Sequence, residues 1–585
     1  MNQIQEIILK NKITELTKQK KYVEAEQVCI KLTQTSPNDS QVWFALGQIQ
    51  QQLGKLQLAA NSYLMAGKFK SEMAVQVLQL ALDISLQTDL IAEGFMATQE
   101  LLKYQPESSR VNYLQGYFAS RTGQDYMANC FYEKAIKIDP SNPTYRLYYA
   151  QVLCHLGRVT EGLEQFELAK SEKANDEPHF RSLFAMNYSH LLDEQRIYQA
   201  HLDYGKRLED RSPDIEPFEP RDSSKRLKIA YVSKDFVRHS VAYFFFSIIK
   251  NHNRQNFEVF CYSDTEKADD FTEIIRGQCE HWRESHSWSD DELYQRIRDD
   301  KIDILIDLIG LTGTPRVGAY AKKAAPVQMS YLGYANTSGL RRMDYRISDN
   351  WADPAGMTEQ LHTEKLIRLP GGFLSYTPST SAPDLVELPA LKAGHITFGS
   401  FNFFPKITNQ VLDTWIKILH KVPDSKLCIK AKYFIEQHNT NQMIAKFEKA
   451  GISKERLIFK TKTLTVRSHL ECYNQVDIHL DTFPYNGTTT TCEALWQGVP
   501  TVTLAGHDHR SRVGNSILHQ TGIEEFITAN IEDYIAIAAT AAKDLKRLSA
   551  LRKNMRHIMS KSTLMDEKRF IRELEAEYTK VAPSR

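Results

Sequence analysis

The 585-residue chain predicts two architectures in series: a solenoid of α-helix pairs, then two doubly wound α/β domains. Three observations predict this. Before residue 180, small and aromatic residues recur with a period of about 34 residues, the length of one helix-turn-helix repeat. After residue 225, short β-rich apolar runs alternate with helix-length runs, the pattern of parallel sheets with covering helices. Between them, DRSPDIEPFEPRDSSKR carries Pro213, Pro217 and Pro220 among acids and serines, the composition of an exposed linker.

Composition sets bounds on function. Hydrophobic residues make up 42% and charged residues 25%, and Lys+Arg 73 against Asp+Glu 72 leaves a formal net charge of +1. That balance excludes a globally cationic nucleic-acid binder, and nothing calls for a membrane partner. Length alone suggests about three or four domains. The eight cysteines, Cys29, Cys130, Cys154, Cys261, Cys279, Cys428, Cys472 and Cys492, form no CxxC pair and no zinc-like spacing. They fit buried thiols in a reducing compartment. The opening MNQIQEIILKNKITELTKQKK is polar and helical, and no apolar run reaches spanning length, so the reading is cytoplasmic.

Residues 1–180 carry the repeats. Trp43, Leu46, Gly47, Ala59, Tyr63 and Ala66 reproduce the spacing of a tetratricopeptide helix pair, with Ala25 and Pro37 in register upstream. Gly116, Ala128, Tyr132, Ala135 and Pro140 repeat the pattern, and Phe166 and Ala169 continue it. From about Ser71 to Pro106 the helix-pair length persists without most signature residues, which predicts a degenerate repeat. Small residues mark close helix crossings, and the stacked pairs either bind another polypeptide on a concave face or only scaffold or dimerise. Residues 181–225 read as a helical connector and linker. Residues 226–390 form the first doubly wound unit, with strands at Leu227–Val232, Phe257–Tyr262, Ile302–Leu308 and Val327–Tyr331 and a helix at Asp290–Asp299. Residues 391–545 form the second, with strands at Ile396–Asn402, Lys426–Lys430, Leu457–Lys460, from Val476, and at Thr501–Leu504. Residues 546–585 read as a helical tail packing back across the domains. Ligands of such sheets bind at the carboxyl ends of strands, which places a site in a cleft between the two units.

Four loops after strands carry candidate chemistry. Ser233, Asp235 and His239 follow the first strand; an aspartate can orient a histidine four residues on for acid–base work or hydrogen bonding, or His239 is a surface residue at a capped helix start. Gly310 and Gly313 in GLTGTPRV allow close backbone approach. Gly333 to Gly339, GYANTSG, has the hydroxyls and amide to bind a polyol or to form an ordinary turn. Lys406 in FFPK is solvated or supplies charge to an anion. Opposite it, Thr488, Thr489, Thr490 and Thr491 open a helix after PYNG; the threonines cap it, and its N–H groups with the helix dipole suit a phosphate. CxxC, HExxH and GxxxxGK[ST] are absent, so a metal-free mechanism suits these residues best.

Taken together, the repeats followed by SKDFVRHSVAYF, DILIDLIGLTG, APVQMSYLGYANTSG, DYRISDNWADP, FGSFNFFPKIT and LDTFPYNGTTTTCEALWQGVP resemble the O-linked N-acetylglucosamine transferase and SPINDLY family over nearly the whole chain. The resemblance implies a metal-independent, inverting glycosyltransferase of two Rossmann-like lobes (GT-B), acceptor side first and nucleotide-sugar side second. It implies transfer of a sugar to Ser or Thr of proteins that the repeats present. By the same resemblance, His239 is the active-site histidine, Asp235 the acid before it and Lys406 the diphosphate lysine. Thr488, Thr489 and Thr490 hold the phosphates, His469 lies against the base, and Leu332 and Gly333 lie near the sugar. His239 is assigned to positioning rather than to obligatory proton removal. No cofactor is implied beyond the nucleotide sugar as co-substrate; the partners are acceptor proteins, with homo-oligomerisation left open. Leu311 stands where many relatives carry His and Phe403 where a polar residue is usual, which would remove polar groups near the donor. The HSVAYF, YANTSG and GTTTTCEALWQGVP wording resembles bacterial members and the plant SPINDLY branch, which transfers fucose. UDP-N-acetylglucosamine is the expected donor; GDP-fucose is the alternative, and an inactive peptide-binding scaffold a second alternative.

Overall fold

The computed structural model describes residues 3–69, 72–170 and 176–583; the start of the degenerate repeat, at Ser71, lies outside them. The chain divides into two compact units, Met1–Leu156 with Glu164–Ala174, and Gly157–Leu163 with Asn175–Arg585.

The first unit is a succession of antiparallel helix pairs: Gln3–Lys18, Tyr22–Thr35, Ser40–Gln52, Leu56–Lys68, Ala74–Thr88, Ile91–Tyr104, Ser109–Thr122, Asp125–Ile138 and Pro143–His155. Small residues let the helices approach. A methyl group on Gly47 would sit 2.6 Å from the Tyr63 ring, and one on Gly116 would sit 2.9 Å from Tyr132. The degenerate repeat keeps this logic with different residues. Gly67 lies against Leu78 and Gly94 against Phe118, where an added methyl would come within 2.4 and 2.2 Å. Side chains of Asp39, Ser108 and Asn142 cap the helices that follow the repeat turns.

Two parallel sheets build the second unit. The first contains β1 (Leu227–Ser233), β2 (Phe257–Ser263), β3 (His281–Glu284), β4 (Ile304–Asp307), β5 (Val327–Ser330), β6 (Tyr345–Ser348) and β7 (Lys365–Arg368), in the order β3-β2-β1-β4-β5-β6-β7. The second contains β8 (Thr397–Ser400), β9 (Lys426–Lys430), β10 (Leu457–Lys460), β11 (Ile478–Leu480), β12 (Thr501–Leu504) and β13 (Ile527–Thr528), in the order β10-β9-β8-β11-β12-β13. Both wind outward from their first strand. The winding reverses between β1 and β4 and between β8 and β11, the crevices where such sheets receive ligands.

Four strands escaped the sequence reading. In β3 the residues HWRE are polar at a sheet edge, β13 has only two residues, and β6 and β7 carry charged side chains. Arg346 in β6 is buried because it donates to the carbonyls of Asn336 and Tyr334, each at 2.7 Å. Residue alternation in β11 does not mean half-exposure: Ile478, His479 and Leu480 are all buried, because a central parallel strand is covered on both faces.

The stretch read as a connector differs from that expectation. Helices Glu177–Met186 and Glu194–Asp210 place Leu183, Tyr204 and Leu208 in one core with Ala230, Val232, Leu305 and Tyr320 of the first lobe. Their apolar faces cover that sheet, so they are part of the lobe. The proline-rich segment after them has no helix or strand but is strapped down: Arg298 lies over the Phe218 ring at 4.1 Å, and Lys301 pairs with Glu219 at 2.6 Å. At the other end, helix Leu545–Lys561 holds the second lobe through Arg552, which donates to Val476 O at 2.7 Å. Helix Glu567–Val581 then crosses to the first lobe, where Glu575 meets His252 at 2.9 Å and Tyr578 meets Tyr231 at 3.2 Å.

Among the described residues all eight cysteines are free thiols; Cys130 is exposed and Cys279 half-buried, the others buried. No described helix is long and apolar enough to cross a membrane.

Candidate active site

The loops after β1, β5 and β7 face those after β8, β11 and β12 across one cleft of about 250 Å³. His239, Leu332, Gly333, Lys406, Thr488, Thr489 and Thr490 all line it, as do Asn402, Phe403, Tyr485 and His509. Asp235 and His469 do not.

On the first lobe, Asp235 is buried behind His239, with Oδ2 3.5 Å from His239 Nδ1. That is a loose tether, longer than a strong hydrogen bond. Burial pushes the half-exposed His239 below the ordinary imidazole value while Asp235 opposes the shift. Across the sheet, Gly333 N donates to Tyr331 O at 2.8 Å and Leu332 adopts φ +66, a γ-turn in the left-handed region. Such conformations cost free energy and persist where neighbours enforce them. Here a methyl on Gly333 would lie 1.9 Å from Leu308 O, so only glycine lets this turn rest on the end of β4.

On the second lobe, Lys406 closes a short 3₁₀ turn, Phe404–Lys406. Its Nζ donates to Asn486 O at 2.8 Å and sits 3.8 Å from the Tyr485 ring centroid. Burial lowers Lys406 to about 8, with Asp481 opposing, and burial raises Asp481 to about 6. Asp481 accepts from Gly487 N at 2.7 Å, Thr482 N and the Thr503 hydroxyl at 2.8 Å each, and so braces the loop from beneath.

Helix Thr489–Trp496 begins at this loop, but the threonines do not cap it as expected. Thr488 makes no side-chain capping bond. Thr490 Oγ1 donates to Asn402 Oδ1 at 3.0 Å and Thr491 Oγ1 to Gly487 O at 3.1 Å. The hydroxyls thus fix the loop, and the uncapped helix start lies at the cleft, where its N–H groups suit an anion.

His469 sits apart from this cleft, in a relay between β9 and the threonine helix. Lys430 Nζ lies 2.7 Å from its Nδ1, and its Nε2 lies 3.0 Å from Glu493 Oε2. A lysine can only donate, so Nδ1 is the acceptor and Nε2 carries the proton. Leu311 departs from expectation as well. It is buried in the core of the first lobe rather than beside the donor site, so its apolar character serves packing. Phe403 is exposed on the cleft, 6.0 Å from the Tyr188 ring.

Asn402 and Tyr485 were missed although each stands inside a quoted motif, and His509 although it follows a strand that was read. The DNWADP motif also gains a place. Asp349 accepts from the Ser516 hydroxyl at 2.5 Å, and the Trp351 carbonyl accepts from Arg512 and Asn515 at 3.0 and 2.8 Å, which ties the lobes together. Among the described residues no group of three His, Cys, Asp or Glu is arranged to hold a metal ion.

Two Rossmann-type sheets that present their strand ends to one cleft, after a helical repeat unit, define the GT-B class of glycosyltransferase fold. The chain belongs to glycosyltransferase family 41, which it matches over residues 206–378 and 384–574. It is 40% identical over 401 residues to the tomato (Solanum lycopersicum) protein named a probable UDP-N-acetylglucosamine–peptide N-acetylglucosaminyltransferase SPINDLY; the match covers 68% of this chain and 43% of that protein. It is 31% identical over 379 residues to the Arabidopsis thaliana relative named SEC, covering 62% and 38%. The chain thus spans less than half the length of these relatives. Among solved structures, a mutant of the Thermobaculum terrenum O-GlcNAc transferase superposes with a TM-score of 0.81 at 31% identity, covering 88% of this chain and 98% of that one.

Proposed function

We propose that this protein is a protein O-glycosyltransferase that moves N-acetylglucosamine from UDP-N-acetylglucosamine to serine or threonine of polypeptides presented by its helical repeats. The observation that carries the proposal is Lys406 beside an uncapped helix start at one cleft, with His239 lining the same cleft from the other lobe. In this reading residues 226–390 form the acceptor side and 391–545 the donor side. The acceptor hydroxyl attacks the anomeric carbon from the face opposite the diphosphate. Charge accumulating on the leaving group is met by Lys406 and the amides at Thr488 to Thr490, which are more useful in the transition state than before it. His239 orients the hydroxyl, and Asp235, 3.5 Å away, restrains the imidazole. In this reading the base extends past the cleft toward His469, which Lys430 and Glu493 hold. Family membership supports this reading, as do the relatives' names.

Calorimetric titration with UDP and GDP, followed by intact-mass measurement after incubation with UDP-N-acetylglucosamine and GDP-fucose, tests it. Binding of UDP and a mass gain matching N-acetylhexosamine on protein are expected. Tight GDP binding without UDP binding, with a deoxyhexose gain, would reassign the donor to GDP-fucose. Absence of any transfer, with Lys406→Ala leaving nucleotide affinity unchanged, would leave a peptide-binding scaffold.

A further inference from the structure

His509 is a second histidine on the cleft, contributed by the loop after β12. The residue is only 4% exposed, and its ring meets Phe373 edge-on with centroids 5.1 Å apart. Its Nδ1 lies 2.6 Å from Oδ2 of Asp353, a fully buried residue of the first lobe. Asp353 also accepts from the Ser348 hydroxyl, and its Oδ1 lies 3.3 Å from His362 Nε2.

The protonation state follows from these partners. Burial pushes Asp353 up, but His509 and His362 hold it well below the usual carboxylate range. An ionised carboxylate only accepts, so His509 Nδ1 carries the proton. Burial, with Arg346 and His362 nearby, keeps His509 below the ordinary imidazole value against the pull of Asp353. Nδ1 faces Asp353 at 2.6 Å, so in the neutral ring the lone pair is on Nε2. That atom has no hydrogen-bond partner among the described residues.

We infer that His509 selects the sugar: its Nε2 accepts a hydrogen bond from a hydroxyl on the sugar part of the donor, while Asp353 is a positioning residue that fixes the tautomer. The inference rests on the glycosyltransfer reading above. A lone pair cannot bind a phosphate oxygen, which also accepts, so His509 does not serve the leaving diphosphate. Phe373 packs against the His509 ring, and Leu332, Leu374 and Val513, which line the same cleft, are also apolar. His509 stands on the same lobe as the phosphate-facing Lys406 and Thr488 to Thr490, which places it toward the donor.

The test compares, without acceptor, the dissociation constants of the nucleoside diphosphate and of the matching nucleotide sugar for the 585-residue protein. Two variants are used. His509→Phe removes the lone pair, and Asp353→Asn replaces the carboxylate with an amide that can turn either its oxygen or its N–H to Nδ1, so the tautomer is no longer fixed. His509→Phe should weaken nucleotide-sugar binding by about tenfold, the loss of one hydrogen bond, and Asp353→Asn should weaken it by less. Both should leave diphosphate binding within about twofold of wild type, which also shows that the cleft is folded. Unchanged nucleotide-sugar affinity, or equal loss for both ligands, would overturn the inference. So would lower turnover at unchanged nucleotide-sugar affinity, which would assign the ring to the acceptor hydroxyl. Should wild type bind no nucleoside diphosphate, the glycosyltransfer reading falls and this inference with it.

Discussion

Lys406 is costly to fold, and under the proposed function that cost serves chemistry. Burial disfavours its charge and lowers it to about 8, against the pull of Asp481; a carbonyl and an aromatic face also meet the ammonium. An arriving diphosphate would add counter-charge to that of Asp481. Lys406→Ala should therefore cut turnover by about two to three orders of magnitude, the scale of losing one preorganised charge. Steady-state kinetics checks this, and a loss below tenfold would remove Lys406 from the proposed role. The sign of the pH effect follows. The free protein holds the ammonium below pH 8 and loses it as pH rises, so diphosphate affinity should be steady near pH 7 and about tenfold weaker one unit above the lysine value. Titration calorimetry between pH 7 and 9.5 reads the trend; affinity that rises with pH would contradict it. Lys406 and the threonines were legible in sequence because loops after central strands of a doubly wound sheet converge on one place. His509 was not, because its partner Asp353 comes from the other lobe, 156 residues away in sequence.

Secondary elements position these residues through close contacts that period and composition only partly reveal. Helix Glu194–Asp210 meets the loop after β5 backbone to backbone: a methyl on Gly205 would fall 1.9 Å from Gly339 O, and His201 Nε2 lies 2.7 Å from the Tyr334 hydroxyl. Since His201 Nδ1 bonds the Ile197 carbonyl at 2.7 Å, Nε2 must accept from Tyr334. The helix read as a connector thus steadies the loop that carries Leu332 and Gly333. Gly205→Ala should force helix and loop apart, destabilise the protein by about 1–3 kcal/mol as overpacking does, and lower transfer beyond what the lost stability explains. Thermal melts alongside kinetics at a permissive temperature check it. An unshifted Tm would mean that the helix yields without cost. The sequence showed a helix here, but its partner was invisible because Gly205 and Gly339 are 134 positions apart, and a glycine's use depends on what approaches it. β9, β10 and β12 were read to their last residue because they are compact β-rich runs bounded by turns. β3 and β13 were lost because polar or two-residue edges carry no periodic signal.

Whole-molecule stability depends on how the chain closes the two-lobed unit on itself. The helix Glu567–Val581 leaves the second lobe and buries Phe570, Leu574 and Tyr578 on the way to the first lobe. There Glu575 accepts from Asn253 N at 2.8 Å and faces His252 Nδ1 at 2.9 Å, while His252 Nε2 meets the Tyr231 hydroxyl at 2.8 Å. His252 is buried, and burial holds it below the ordinary imidazole value against the pull of Glu575. Glu575→Ala would strand that imidazole and the Asn253 amide without an acceptor, at a cost of about 1–3 kcal/mol. Glu575→Gln keeps a carbonyl acceptor and should recover most of it. Removing residues 567–583 takes away the whole strap, so the lobes should lose their common unfolding transition, with the first melting at lower temperature. Differential scanning calorimetry on the three proteins distinguishes the cases. One sharp transition at an unchanged Tm after truncation would show that contacts outside the strap, those of Asp349, Trp351 and Asp353 among them, hold the lobes together.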